Sequence, residues 1–144
     1  MKLEHHIATS TVVSGILYFV SKSWGLSIAS FISGIFIDID HVFDYFFEHK
    51  LFDYQEFINF FYGEKHQKIT LLLHGWEWLL CLGLATVITN FDPWIAGLSV
   101  GYGHHIISDY FYSKTNIKTY SLIWRWKKRF DSKTLFPRNR GYNP

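Results

Sequence analysis

Four apolar stretches divide the chain: Ile7 to Val20, Trp24 to Ile37, Leu71 to Asn90, and Trp94 to Ile107 continuing to Tyr112. None alternates apolar and polar positions as a half-buried strand does, and their length predicts helices. The third, with 20 residues, would reach about 30 Å as a helix, the thickness of a bilayer's hydrocarbon core. The first two are shorter than a comfortable span. Lys22 can extend its charge outward and Trp24 can sit at an interface, which stretches Ile7 to Val20 toward a membrane helix rather than the helix of a soluble bundle. The short links "SKSWG" and "NFDPW" carry turn-forming residues and join neighbours as tight hairpins. Between the second and third stretches, "DYFFEHKLFDYQEFINFFYGEKHQK" mixes Phe and Tyr with Asp, Glu and Lys, as an amphipathic segment lying in an interface would. The predicted fold is all-α: a four-helix membrane bundle with interfacial amphipathic helices between the second and third spans.

Composition fits one domain with a real core. Hydrophobic residues make up 49% of the 144 and aromatic residues 20%, which excludes a disordered or linker-type chain. Cys81 is the single cysteine, so no internal disulfide forms. The N-terminus, "MKLEHHIATSTVVSG", has an acid and two histidines before its apolar run and does not read as a removable signal peptide. The net charge of +2 conceals an asymmetry. Residues 113 to 144 hold nine Lys or Arg against Asp131 alone, whereas the first 112 hold all eight histidines and eleven acids. With four spans, Lys2, Lys50, Lys65, Lys68 and the basic end fall on one side and Lys22 on the other. The excess of basic residues then places both termini in the cytoplasm of a multi-pass plasma-membrane protein. Two parts follow: residues 1 to 112 as a membrane-embedded helical metal-site domain, and 113 to 144 as a basic, aromatic cytoplasmic tail.

On this drawing the unusual polar residues gather at one depth. His5 and His6 precede the first helix, Asp38, Asp40 and His41 end the second, His66, His74 and Glu77 straddle the start of the third, and His104, His105 and Asp109 lie toward the end of the fourth. His105 and Asp109 are four apart and His74 and Glu77 three apart, so each pair shares a helix face. Facing helices that each offer a histidine and a carboxylate build metal sites in bundles. Several carboxylates buried together need cations, and ionisable residues flanked by "WIAGLSVGYG" are expensive unless functional. Taken singly, His5 and His49 read as solvated or interfacial residues, and His66 is open to the same reading.

At these residues the chain resembles the LexA-regulated membrane-bound metal-dependent hydrolases, a family related to zinc-dependent phospholipase C and single-strand nucleases. That family shows a histidine before its first apolar helix, then P-D-x-D-H, H-R-x-x-T-H-S and S-H-x-x-x-D motifs. The matches here are His6, then "IDIDH" with Asp38, Asp40 and His41, then "HHIISD" with His105 and Asp109, in order over roughly residues 5 to 112. Ile37 stands in place of the usual proline. The third motif is half matched: "HQKITLLLHGWE" has His66 and Thr70, but Leu71 where the second histidine would fall and His74 three residues on. Either His66 or His74 then lacks a ligand role. His104 takes the position of the family's serine.

The resemblance implies two or three divalent ions, zinc first and manganese or iron as alternatives, held by His6, Asp38, Asp40, His41, His66, His74, His105 and Asp109. A clustered site of this kind activates water against phosphoesters. Asp40 is the candidate bridging carboxylate, and Glu77 or His104 the candidate orienting or proton-carrying group. A site at the interface beside an aromatic segment points to membrane lipids as partners and a lipid or lipid-linked phosphate as substrate. The tail, with "IWRWKKRF", suits anionic headgroups or serves simply as a positive-inside signal. It carries no nucleic-acid-binding motif, so no specific nucleic acid is expected. Two other classes stay open: a non-enzymatic protein carrying protons or metal ions on intramembrane His and Asp residues, and a small subunit with a structural metal. The apolar outer half of the bundle favours a one-sided site, hence an enzyme.

Overall fold

The computed structural model describes residues 3–49, 51–62, 68–113 and 116–135. Its elements are helices α1 (Leu3–Ser21), α2 (Trp24–Phe36), α3 (Ile39–Glu48), α4 (Tyr54–Tyr62), α5 (Trp76–Ile88) and α6 (Pro93–Ser113), a 3-10 turn over Ile117–Tyr120, and short helices α7 (Leu122–Lys127) and α8 (Ser132–Leu135). The fold is all-α. The only extended pairing among the described residues is one isolated bridge between Lys68 and Asp131.

Each apolar stretch becomes a helix, and the links stop them as expected. Ser23 caps α2 by accepting from the Leu26 N–H, and Asp92 accepts from the N–H groups of Trp94 and Ile95 at the start of α6. The third stretch is shorter than its apolar run. Residues 71–75 form a loop because Asp44, Asp40 and Tyr102 take up their backbone groups, leaving α5 with 13 residues. Among the described residues one helical run, Trp24–Phe47, is long and apolar enough to cross a membrane. It includes the break at Ile37–Asp38 between α2 and α3. α1 and α6 have 19 and 21 residues, but Glu4, the histidines and scattered Ser, Thr and Gly dilute their apolar character.

Helix α2 packs along α6 on one side and α1 on the other, at very close range. A Cβ at Gly101 would collide with the Ser30 carbonyl, and one at Gly97 with the Leu26 carbonyl, so only glycine allows α2 and α6 to approach this far. The buried faces are small or polar: Ser10 and Ser14 of α1, Ser27, Ala29, Ser30 and Ser33 of α2, Ala96 of α6. Large apolar side chains point outward instead, as with Phe19, Val20, Phe36, Leu80, Leu84 and Ile88. A modest apolar core of Ile37, Tyr102 and Ile106, flanked by Leu73, Trp76, Leu79 and Leu82, sits beside the polar cluster.

The segment after α6 folds back over the loop before α5. Glu77, in the first turn of α5, accepts from the Ser121 hydroxyl (2.6 Å) and from the N–H groups of Leu122 (3.0 Å) and Ile123 (3.2 Å), anchoring the start of α7. The N–H of Ile69 donates to the Phe130 carbonyl. Residues 121–130 therefore pack against the loop before α5 and against its first turn.

Candidate metal centre

The break between α2 and α3 places Asp38 as the residue before α3, yet its carboxylate makes no capping bond. It turns instead toward His105 and Asp109, one helical turn apart on the buried face of α6, and toward His6 of α1 and His74 of the 71–75 loop. His6, His74 and His105 are all but fully buried, and Asp38, Asp40 and Asp109 are buried.

Hydrogen bonds fix which ring nitrogens face the centre. His105 Nδ1 lies 2.8 Å from the Gly34 carbonyl, which can only accept, so Nδ1 carries a proton and the neutral ring presents the lone pair of Nε2. His74 Nδ1 donates in the same way to Asp40 Oδ2 at 3.0 Å, which turns Nε2 toward the centre. This is the carboxylate–histidine arrangement that orients metal-binding imidazoles.

These Nε2 atoms converge. His74 Nε2 and His105 Nε2 are 3.2 Å apart. Asp38 Oδ1 is 3.5 Å from the first and 3.4 Å from the second, and Asp109 Oδ2 is 3.4 Å from both. A zinc ion with four ligands at about 2.0–2.1 Å in a tetrahedron sets those ligands about 3.3 Å apart. Five of the six edges of a tetrahedron over these four atoms lie near that spacing. A second set adjoins the first: His6 Nε2 is 3.0 Å from Asp109 Oδ1 and 4.0 Å from Asp38 Oδ2, an oxygen with no hydrogen-bond partner. His41 Nε2 approaches Asp38 Oδ1 at 3.8 Å. Its ring, the most exposed in the cluster, meets His74 edge-on. Two overlapping groups have ligand atoms close enough to share a metal ion, His6 with Asp38, His105 and Asp109, and Asp38 with His41 and His74.

Charge leads to the same conclusion. Burial alone would push the imidazolium of His74, in the loop ahead of α5, downward. Hydrogen bonds that Asp109, Asp38 and Asp40 accept from it outweigh burial and carry His74 well above the usual histidine value. The surroundings favour a positive charge at this spot, which a proton or a metal cation can supply.

Other predicted residues fall elsewhere. Asp40 stands behind His74 and also accepts from the Leu73 N–H, while its Oδ1 is buried without a partner. Glu77 is occupied by the start of α7, outside the cluster. The ring of His104 bonds to Ser108 (3.4 Å) rather than to the centre. The ring of His5 meets Tyr112 at a tilt, and His49 pairs with Glu56. His66 lies outside the described residues.

Three supporting residues were not singled out from sequence. Asp44 accepts from the N–H groups of Thr70 and Leu71, and the Tyr102 hydroxyl bonds the backbone of Leu73 and Gly75. Arg125, 1% exposed, donates to the carbonyls of Thr70 and His74. Asp44 follows Asp40 by one helical turn and was legible as its companion. Nothing in "IWRWKKRF" distinguishes Arg125 from its neighbours.

Comparison with family models, curated proteins and solved structures finds no match to this chain.

Proposed function

We propose that this chain is a membrane-bound metal-dependent hydrolase acting on a phosphoester of a lipid or lipid-linked substrate. The observation that carries the reading is the convergence of His74 Nε2, His105 Nε2, Asp38 Oδ1 and Asp109 Oδ2, with five contacts of 3.2–3.5 Å among them. Zinc is the first candidate for this donor set, with manganese or iron as alternatives. His6 with the outer oxygens of Asp38 and Asp109, and His41 on its open side, supply donors for a further ion. When bound, such ions lower the pKa of water and polarise a phosphoryl oxygen. The chain's own residues do the rest: Asp40 and the Gly34 carbonyl hold the two imidazoles, and the partly exposed His41 marks the side from which substrate approaches.

Two observations support a membrane setting and an amphiphilic substrate. Small and polar residues line the α1–α2–α6 interfaces while large apolar ones face outward, the distribution expected where the surroundings are lipid. On this reading α1, α2, α5 and α6 cross or enter the bilayer as four spans, with both termini on the cytoplasmic side. A cavity of about 140 Å³ beside Asp40 is walled by Phe43, Phe47, Leu72 and Leu73, three of them largely exposed. It suits the apolar part of a substrate next to the centre.

The test is metal content by mass spectrometry on detergent-purified protein, wild type against Asp38→Ala and His105→Ala, followed by turnover of vesicles containing phosphatidic acid or a lipid diphosphate. Near-stoichiometric metal in wild type only, with phosphate release, is expected. Absence of metal after reloading overturns the reading. Bound metal without turnover replaces it with a structural or ion-carrying role.

A further inference from the structure

The loop that carries His74 is an unlikely place to aim a ligand. It has no helical or strand bonding of its own, and Leu71 sits at φ +39°, a conformation that L side chains avoid. What holds it comes from four directions. Asp44 takes the Thr70 and Leu71 N–H groups, Asp40 the Leu73 N–H, Tyr102 the Leu73 and Gly75 carbonyls, and Arg125 the Thr70 and His74 carbonyls. Of these four side chains only Arg125 bonds the backbone of His74 itself, at 2.6 Å, and within the loop the His74 N–H donates to the Leu71 carbonyl.

Arg125 is costly to keep there. A guanidinium at 1% exposure has lost its hydration, and here it meets neutral carbonyl groups, with Nε left unpartnered. Burial pushes it below its ordinary value, while the charges of Asp40, Glu77 and Asp44 push the other way. A positive charge behind an anion-rich centre, forked across residues 70 and 74, does something a neutral residue or a single ammonium cannot: it fixes both ends of the loop with one rigid plane. Glu77 in turn fixes the start of α7, on which Arg125 is carried.

We propose that Arg125 is a positioning residue of the metal centre, holding the 70–74 loop through its two carbonyls so that His74 Nε2 points at Asp38, His105 and Asp109. Helix α7 thereby belongs to the site. The inference rests on the metal-centre reading above, and its test separates the two.

Purified full-length protein is stripped and titrated with Co²⁺ and Zn²⁺, following the visible Co²⁺ spectrum, metal affinity and helical content. Wild type that binds neither ion removes the metal-centre reading itself, and this proposal with it. If wild type binds, Arg125→Met is expected to keep its helical content, lose about 10- to 100-fold in affinity, and give the Co²⁺ spectrum of His74→Ala. Arg125→Lys, reaching one carbonyl, falls between, and it carries the test alone if Arg125→Met fails to fold. Adding Arg125→Lys to His74→Ala should leave affinity unchanged, because the ligand it positions is already gone. Wild-type affinity and spectrum in the folded Arg125 variants, or an equal further loss in the His74→Ala background, overturns the proposal.

Discussion

Two parts of this molecule bring ligands to the same point by different means. Asp109 and His105 arrive on α6 and Asp38 at the end of α2, carried by helices whose backbones touch through Gly97, Gly101 and Ser30, while His6 arrives on α1, whose Ser10 packs against Gly34 of α2. His74 arrives on a loop held by side-chain hydrogen bonds from Asp44, Asp40, Tyr102 and Arg125. In the first part, precision comes from packing, which has no intermediate setting: the helices fit or they do not. In the second it comes from separate polar contacts, each removable alone. The helical part should therefore fail all at once and the loop part by degrees.

The largest effect is expected in the packed part. Gly101→Val places two branches against the Ser30 carbonyl, and overpacking of this kind costs about 3 kcal/mol or more where backbone must shift. Since α2 then separates from α6, Asp38 leaves His105 and Asp109 together. The variant should lose thermal stability and all bound metal in one step. A variant that melts early yet binds metal normally would show that the seam does not set the site.

Next come the ligands themselves. His105→Ala and His74→Ala each remove one imidazole, and both should lower metal affinity by at least the 10- to 100-fold typical of losing an orienting partner. Their stabilities should differ. His105 also bonds the Gly34 carbonyl inside the α2–α6 seam, so its loss weakens the metal-free protein by about 1–3 kcal/mol. Loss of His74 frees a strained loop and leaves the seam alone. Equal melting temperatures for the two stripped variants would dissolve the distinction between the two parts.

Proton competition at His74 gives a smaller and graded effect. His74 is raised above its ordinary value, so its protonated form stabilises the metal-free protein below pH of about 6.5. That contribution fades as pH rises through the raised value. Metal must displace the same proton, so affinity rises with pH over that window, by up to about tenfold per unit. Melting of stripped and loaded protein across pH 6 to 9 should therefore diverge, the stripped form falling relative to the loaded one. Parallel curves would place the proton elsewhere.

The contrast also explains what the sequence made legible. Helical stretches, their stops and the i, i+4 pair of His105 and Asp109 follow from local periodicity, so α1, α2 and α6 and the gathering of His and Asp residues could be read directly. Side chains whose partners lie far along the chain could not. Glu77 looked like a companion of His74 because it is three residues away. In space it anchors Ser121, 44 residues on. Leu71 to Gly75 read as helix because they are apolar. Their N–H groups are claimed by Asp40 and Asp44, a competition invisible to hydropathy. Arg125 looked like any basic residue of a positive-inside tail, since burial is a property of the fold and not of the residue.

The smallest effect tests whether the loop's strain is real. Leu71 holds φ at +39°, and an ordinary L residue in this region gives up about 1–2 kcal/mol. Asparagine tolerates the left-handed conformation far better than a branched apolar residue. Leu71→Asn keeps the N–H that donates to Asp44, so the loop's path is retained while its backbone cost falls. Leu71 is only half-buried, so the apolar contact given up offsets part of the gain. The metal-free protein should be stabilised by about 0.5 kcal/mol net, with metal affinity unchanged or slightly higher because the loop is already in its binding shape. A clear destabilisation would mean that the Leu71 side chain, and not the bonds to Asp44 and Arg125, keeps His74 in place.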